Sequence, residues 1–235
     1  MKALGVAALL SIGVTANALA ASPAHSTPAE TDSYERIAQM TIELREKEHI
    51  DPKVETPDHI VQQVLDETGS AGDKTGFRDS GENYGTNIGR HEAAACATNP
   101  YDCARAKSAI KDAERISSQT FPSEVTNDNI QDADRHCVWQ ALTTIRANAD
   151  FARKIGDAHE TDHPGSPEAE HMDQTNNAIG RDIGLRHEGD EAGAINECHA
   201  QAKNGGLIKM RLPSFSGHPT CTDVVSVGED VHCEP

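Results

Sequence analysis

The chain has 235 residues, of which 38 are acidic and 21 basic, and its formal net charge at neutral pH is −17. A charge of this sign repels nucleic acid phosphates and anionic membrane surfaces, so neither is a favoured partner. The 12 histidines and many carboxylates can supply ligands for divalent metal ions, although a solvated acidic surface would by itself account for the charge.

Residues 1–20 have the features of a cleaved signal peptide. Lys2 precedes an apolar run over residues 3–18, and small residues allow cleavage after Ala20. The run is too short for a stable membrane anchor, and no later stretch approaches about 20 apolar residues. We therefore expect a secreted protein, with a flexible leader rich in Ser, Thr, Pro and Ala over residues 21–33.

The six cysteines are an even number, which in an oxidising compartment predicts three disulfides. None of the spacings resembles a paired Cys-x-x-Cys zinc site. Proximity along the chain favours two local pairs and leaves one long-range pair: Cys96–Cys103, Cys221–Cys233 and Cys137–Cys198.

The pattern of apolar residues predicts a mainly α-helical fold with a short C-terminal β-hairpin. Residues 34–90 form a helical pair followed by a glycine-rich loop. Residues 91–206 form the principal helical domain, which carries the reactive side chains. Residues 207–235 form an extended tail, in which two short apolar runs pair as strands pinned by the last two cysteines.

Helix boundaries inside the principal domain have recognisable signals. Asn99-Pro100 interrupts a helix, because proline disfavours helical geometry at the residue before it. Residues 127–129 offer capping oxygens for a helix that carries Asp132 to about Arg146. Ser166-Pro167 supplies a cap and a proline at the first helical position of the next polar helix.

The first polar cluster lies on the helix that begins near Asp132. Asp132, Arg135, His136 and Trp139 are spaced i, i+3, i+4 and i+7, which places them on one face. His136, oriented by Asp132, is then a candidate acid or base, and Arg135 is a candidate for holding an anionic group. A surface Asp–Arg pair beside a partly buried histidine explains the same spacing equally well.

The second cluster, residues 159–163, matches the H-E-x-x-H motif of zinc proteases. Pro164 falls inside the helix that this motif needs, and Asp162 puts a charge where that helix is usually neutral. A zinc metalloprotease using His159, Glu160 and His163 is therefore a lesser alternative. We expect His159 and Glu160 to act as a metal ligand or general acid/base pair outside that class.

The third cluster consists of Asp173, Asn176, Asn177, Gly180 and Arg181, which share a helix face at i, i+3, i+4, i+7 and i+8. Adjacent asparagines are unfavourable within a helix, so we expect them to hydrogen-bond to specific partners. Gly180 allows another helix to approach closely. A buried polar network that only positions helices is the alternative.

In order along the chain, the motifs DAxRHxxW, AHE and MDxxNNxxGR resemble an uncharacterised helical domain of secreted bacterial proteins. That domain also occurs at the C-terminal ends of Rhs-type and other polymorphic toxin-like or wall-associated proteins, and the resemblance covers about residues 96–204. It implies an exported, toxin-like protein with a polar site. This chain departs from the pattern at Asp134, where the family has an aromatic residue, and at Gln174, where it has an aliphatic one. His163 is not part of the pattern.

The leading hypothesis is a metal-assisted or acid/base hydrolase that acts on an extracellular or cell-envelope substrate. Its expected catalytic residues are His136, His159, Glu160 and Asp132. A divalent metal, with zinc as first choice, would bind His136, His159 and Asp173. The expected substrate-binding residues are Arg135, Asn176, Asn177 and Arg181. The alternatives are a non-catalytic secreted effector or metal-sequestering protein, and a polar core with a purely structural role.

Overall fold

The computed structural model describes residues 33–68, 88–123, 127–210 and 224–226. The predicted signal peptide, the predicted leader up to residue 32, most of the glycine-rich loop and the predicted Cys221–Cys233 disulfide lie outside these residues.

Helices make up most of the described chain, which confirms the mainly α-helical prediction. They are α1 (Ser33–Lys47), α2 (Asp58–Thr68), α3 (Arg90–Thr98), α4 (Pro100–Thr120), α5 (Ile130–Arg146), α6 (Ala149–Asp162), α7 (Pro167–Arg186) and α8 (Glu191–Lys203). Two short strands, β1 (Ile208–Met210) and β2 (Val224–Ser226), pair antiparallel, as predicted for the tail. Among the described helices, none has the length and apolar character needed to cross a membrane.

The helix boundaries follow the local signals in the sequence. Asn129 caps α5, because its side-chain oxygen accepts hydrogen bonds from the first backbone N–H groups of the helix. Ser166 caps α7 in the same way, with Pro167 at the first helical position. Asn99 separates α3 from α4, which starts at Pro100.

Helix α5 is the centre of the fold, since every side chain from Gln131 to Thr144 is buried. Helices α4, α6, α7 and α8 pack around it. Helices α1 and α2 contribute Ile37 and Ile60 to the same hydrophobic core. Because this part of α5 has no solvent-facing side, its charged residues must find partners inside the protein.

Two of the three predicted disulfides are confirmed. The Cys96–Cys103 bond links α3 to the start of α4, and the Cys137–Cys198 bond links α5 to α8. The second bond holds the central helix against the last one, so it restrains the helix that carries His136.

Close packing of α7 on α5 depends on Gly180. A Cβ atom at this position would lie 2.4 Å from the backbone oxygen of Cys137 and 2.9 Å from the Cβ of Gln140. The side chains that follow Asp173 along this face of α7 therefore come close to α5 only because residue 180 has no side chain.

The Gly180→Ala variant is expected to lower the free energy of unfolding by about 2–3 kcal/mol, because the new methyl group meets backbone that must move. Urea denaturation measures the change, and Gln174→Ala on the exposed side of α7 is the control. A variant about 1 kcal/mol more stable than the parent would contradict the close approach, because that is the gain expected from alanine in a helix when the new methyl group meets no obstacle.

Candidate functional site

Three ligand-type side chains meet between α5 and α7, and we call Asp132, His136 and Asp173 the central cluster. His136 Nε2 lies 3.4 Å from Asp132 Oδ1 and 3.3 Å from Asp173 Oδ1. The His136 side chain is 1% exposed and that of Asp173 is 18% exposed. Within the described part of the chain, neither His136 Nε2 nor Asp173 Oδ1 has a partner in hydrogen-bond geometry. The atoms are close together but not aligned to satisfy one another.

The opposite side of the His136 ring is held by Asn177. The Asn177 amide nitrogen donates to Glu160 Oε1 at 2.9 Å, so its oxygen faces His136 Nδ1 at 3.0 Å. From this hydrogen-bond network, His136 Nδ1 carries a hydrogen and donates it to Asn177. Nε2 is therefore the ring nitrogen directed at the two aspartates.

Asp132 is held in place by groups from its own end of α5. Arg135 pairs with Asp132 Oδ1, and the backbone N–H of Asp128 donates to Asp132 Oδ2 at 2.6 Å. Burial alone would raise the pKa of Asp132, but the positive charges of Arg135 and His136 outweigh burial and lower it. Asp132 is therefore a carboxylate at neutral pH.

Charge and burial shift the other two members strongly. Burial disfavours the imidazolium of His136, but the carboxylates of Asp173, Asp132 and Glu160 outweigh burial and raise its pKa to about 10. Burial raises the pKa of Asp173 to about 8, and the charges of Asp132 and Glu160 add to this effect while His136 opposes it. At neutral pH and without a metal ion, His136 and Asp173 therefore each carry a proton that a bound cation would displace.

A second group of ligand-type residues lies between α3 and α6, and we call Glu92, His159 and His163 the Glu92 cluster. Glu92 Oε1 lies 2.9 Å from His159 Nδ1, and Glu92 Oε2 lies 3.2 Å from His163 Nε2. The Glu92 side chain is fully buried. Burial alone would raise its pKa, but His159, His163 and Tyr34 outweigh it, and the pKa lies well below the usual range.

The structure changes the interpretation of the H-E-x-x-H segment. Helix α6 ends at Asp162 and His163 is its cap, so Pro164 lies outside the helix and the expected conflict does not arise. His159 and His163 do face a common carboxylate. Glu160, however, is hydrogen-bonded to Asn177, and its Oε1 lies 3.9 Å from His136 Nδ1. His159 and His163 therefore belong to the Glu92 cluster, whereas Glu160 contacts the central cluster through Asn177.

The expected metal ligands are only partly brought together. His136 and Asp173 meet, with Asp132 as their third partner, whereas His159 joins the Glu92 cluster. The clusters are nevertheless neighbours, because the His136 and His159 rings are 6.5 Å apart and the Trp139 ring lies 5.4 Å from that of His159.

Glu92 is a candidate site residue that the sequence patterns did not predict. Its only signal is an acidic side chain just before a run of three alanines.

The expected substrate-binding residues have different surroundings. Asn176 is an anchor for β1, since its amide donates to the Ile208 carbonyl at 2.8 Å and accepts from the Ile208 N–H at 3.1 Å. Arg135 and Asn177 hold members of the central cluster. Arg181 is partly buried and donates to Gln140 Oε1 at 3.1 Å. The contacts of Asn176 fit the alternative of a polar network that only positions structural elements.

Asp134 belongs to neither cluster. This fully buried carboxylate accepts a hydrogen bond from Ser117 Oγ at 2.7 Å and lies 2.9 Å from His199 Nδ1. Asp134 therefore joins α5 to α4 and α8.

The Asp134→Asn variant is expected to lower the free energy of unfolding by about 2–4 kcal/mol, because it removes the buried charge that faces His199. Asp182→Asn, at an exposed position of α7, is the matched control, and urea denaturation is the measurement. A loss no larger than that of the control would show that the pair with His199 contributes nothing.

Comparison with protein families adds one match. Residues 93–206 match the model of a domain described as being of unknown function, DUF6973. Comparisons with curated proteins and with solved structures found no match. The matched segment holds the whole central cluster, whereas Glu92 lies one residue before it. Over residues 93–206, the chain is thus similar to DUF6973, a domain whose description assigns no activity.

Proposed function

We propose that the central cluster binds a divalent metal ion, with zinc as first candidate, and that the protein is an exported metal-dependent hydrolase. The observation that carries the proposal is the set of separations of 3.3 and 3.4 Å around His136 Nε2. Tetrahedral zinc with bonds of about 2.0–2.1 Å to nitrogen and oxygen holds its ligand atoms about 3.3–3.4 Å apart. Two of the three separations in the cluster thus match those of a tetrahedral zinc ligand set.

The surroundings of His136 support its assignment as a ligand. A metal-binding histidine usually donates its other ring N–H to a fixed acceptor, which sets the ring orientation. Here His136 donates through Nδ1 to Asn177, and Asn177 is held in turn by Glu160. Glu160 and Asn177 are therefore positioning residues in this proposal, and Arg135 orients Asp132.

A hydrolase is favoured over a closed structural site because the protein supplies three ligands. Catalytic zinc sites keep an open position for water, and the ion lowers the pKa of that water to about 7. The side chain of Asp173 is 18% exposed, so water and substrate would approach from its side of the cluster. Arg181, on the same face of α7, is the candidate for binding an anionic substrate group.

The proposed location is extracellular or in the cell envelope. The two disulfides support an oxidising compartment, and the predicted signal peptide supports export. Envelope components are therefore the substrate class that we propose. The toxin-like role comes only from the resemblance of the three motifs.

The test combines metal binding with turnover. Calorimetric titration of the disulfide-intact chain with Zn²⁺ is expected to show tight binding at the central cluster that Asp173→Asn weakens about 100-fold or more, while Asp182→Asn leaves it unchanged. Hydrolysis of carboxyl ester, phosphodiester and peptide substrates should then require Zn²⁺ and be lost in Asp173→Asn. Activity that survives both chelation and this substitution would overturn the proposal.

A metal-sequestering protein is the second candidate, because the Glu92 cluster provides another group of ligand-type atoms. Tight Zn²⁺ binding without hydrolysis of any substrate class would favour sequestration. A central cluster that binds no ion, together with loss of stability on substitution, would instead favour a polar core that only positions helices.

A further inference from the structure

A second group of possible metal ligands lies where the end of α6 meets the first turn of α3. His159 and His163 are one helical turn apart, and their ring centroids are 4.7 Å from each other. Both rings point a nitrogen at the carboxylate of Glu92, and the three ligand atoms lie within 4.8 Å of one another. We propose that Glu92, His159 and His163 form a second zinc site, which clamps the start of α3 to the end of α6.

The hydrogen bonds around Glu92 fit such a site. Tyr34 donates its hydroxyl to Glu92 Oε1, and the backbone N–H of Gly89 donates to Oε2 at 3.0 Å. If an ion replaces the two histidine contacts, each carboxylate oxygen keeps one donor from the protein. Partners of this kind fix the orientation of a ligating carboxylate.

The backbone of Glu92 is fixed to α6 as well. Asp162 Oδ2 accepts a hydrogen bond from the Glu92 N–H at 2.9 Å. Asp162 is the residue before His163, so the same turn of α6 positions both the backbone of Glu92 and one of the two imidazoles. This coupling holds the three ligand groups together across a sequence distance of about 70 residues.

The donor set and its exposure favour zinc. Two imidazoles and one carboxylate are the ligands of several zinc sites that keep a position for water. The His163 side chain is 28% exposed, which gives an ion a route to the buried Glu92. The site is not that of an H-E-x-x-H protease, because Glu160 accepts a hydrogen bond from Asn177, the residue that holds His136.

The decisive experiment counts zinc ions per chain. The disulfide-intact protein, stripped of metal, is titrated with Zn²⁺ against a coloured chelator of known affinity. We expect two ions for the unaltered chain, one for His163→Gln, one for Asp173→Asn and none bound tightly by the double variant. His171→Gln, at an exposed position of α7, should still bind two.

The design separates this proposal from that of the central cluster. An Asp173→Asn chain that binds no ion would overturn the second site, even if the central site is real. An Asp173→Asn chain that keeps one ion, lost on adding His163→Gln, would support it, even if the central cluster binds nothing. Protection of His163 from diethyl pyrocarbonate by Zn²⁺ in the unaltered chain provides a measure that needs no substitution. Absence of protection would count against the site.

Discussion

Zinc binding to the central cluster is expected to strengthen by up to about 100-fold for each unit that the pH rises between about 6 and 8. The ion must displace one proton from His136 and one from Asp173, and each displaced proton changes the affinity about tenfold per pH unit. Their pKa values of about 10 and about 8 mean that both groups still carry their proton in this range. A metal ion and the protons compete for the same atoms, so affinity rises as protons become scarcer.

The shape of the pH dependence provides the check. Above about pH 8 Asp173 is ionised, so the dependence should fall to about tenfold per unit, and it should vanish above about pH 10 when His136 is neutral. Asp132, Glu160 and Arg135 also face His136 and set these values. Competition with a chelator of known pH behaviour measures the affinity. The measurement uses the His163→Gln chain, so that the Glu92 cluster does not contribute, and an affinity independent of pH there would contradict the assigned ligands.

Removal of the Cys137–Cys198 disulfide by substitution of both residues with alanine is expected to lower the free energy of unfolding by about 4 kcal/mol. The bond closes a loop of 61 residues, and cross-linking a longer loop removes more entropy from the unfolded chain. The Cys96–Cys103 bond closes only 7 residues, so its removal should cost about 2 kcal/mol in the same chain-entropy description. Urea denaturation of the two double variants gives the comparison.

A matched measurement tells whether the long-range disulfide also shapes the site. Helix α8 contributes no ligand to the central cluster, so zinc affinity of the folded Cys137→Ala/Cys198→Ala chain should stay within a few-fold of the parent. Equal stability losses for the two disulfides would contradict the entropic explanation. A large loss of zinc affinity would show that the bond positions His136 in addition to stabilising the fold.

The sequence by itself determined the features that depend on neighbours along the chain. Helix starts at Asn129 and Ser166 follow from caps whose partners lie two or three residues away. The spacing of Asp132 and His136 placed both on one side of α5. The glycine at position 180 likewise indicated a close approach of another helix. Two disulfides, Cys96–Cys103 and Cys137–Cys198, agree with the pairing expected from proximity along the chain.

Only the tertiary structure decided which polar groups became partners. Glu92 reaches His159 across 67 residues, and Asn176 reaches Ile208 across 32, by contacts that no local pattern encodes. The burial of every side chain from Gln131 to Thr144 in α5 could not be predicted from the sequence either. Apolar periodicity predicts one buried face and does not reveal that other helices cover the remaining faces. Burial and charge then set the properties of His136 and Asp173, so the chemistry of the site depends on the packing of α5, α6 and α7.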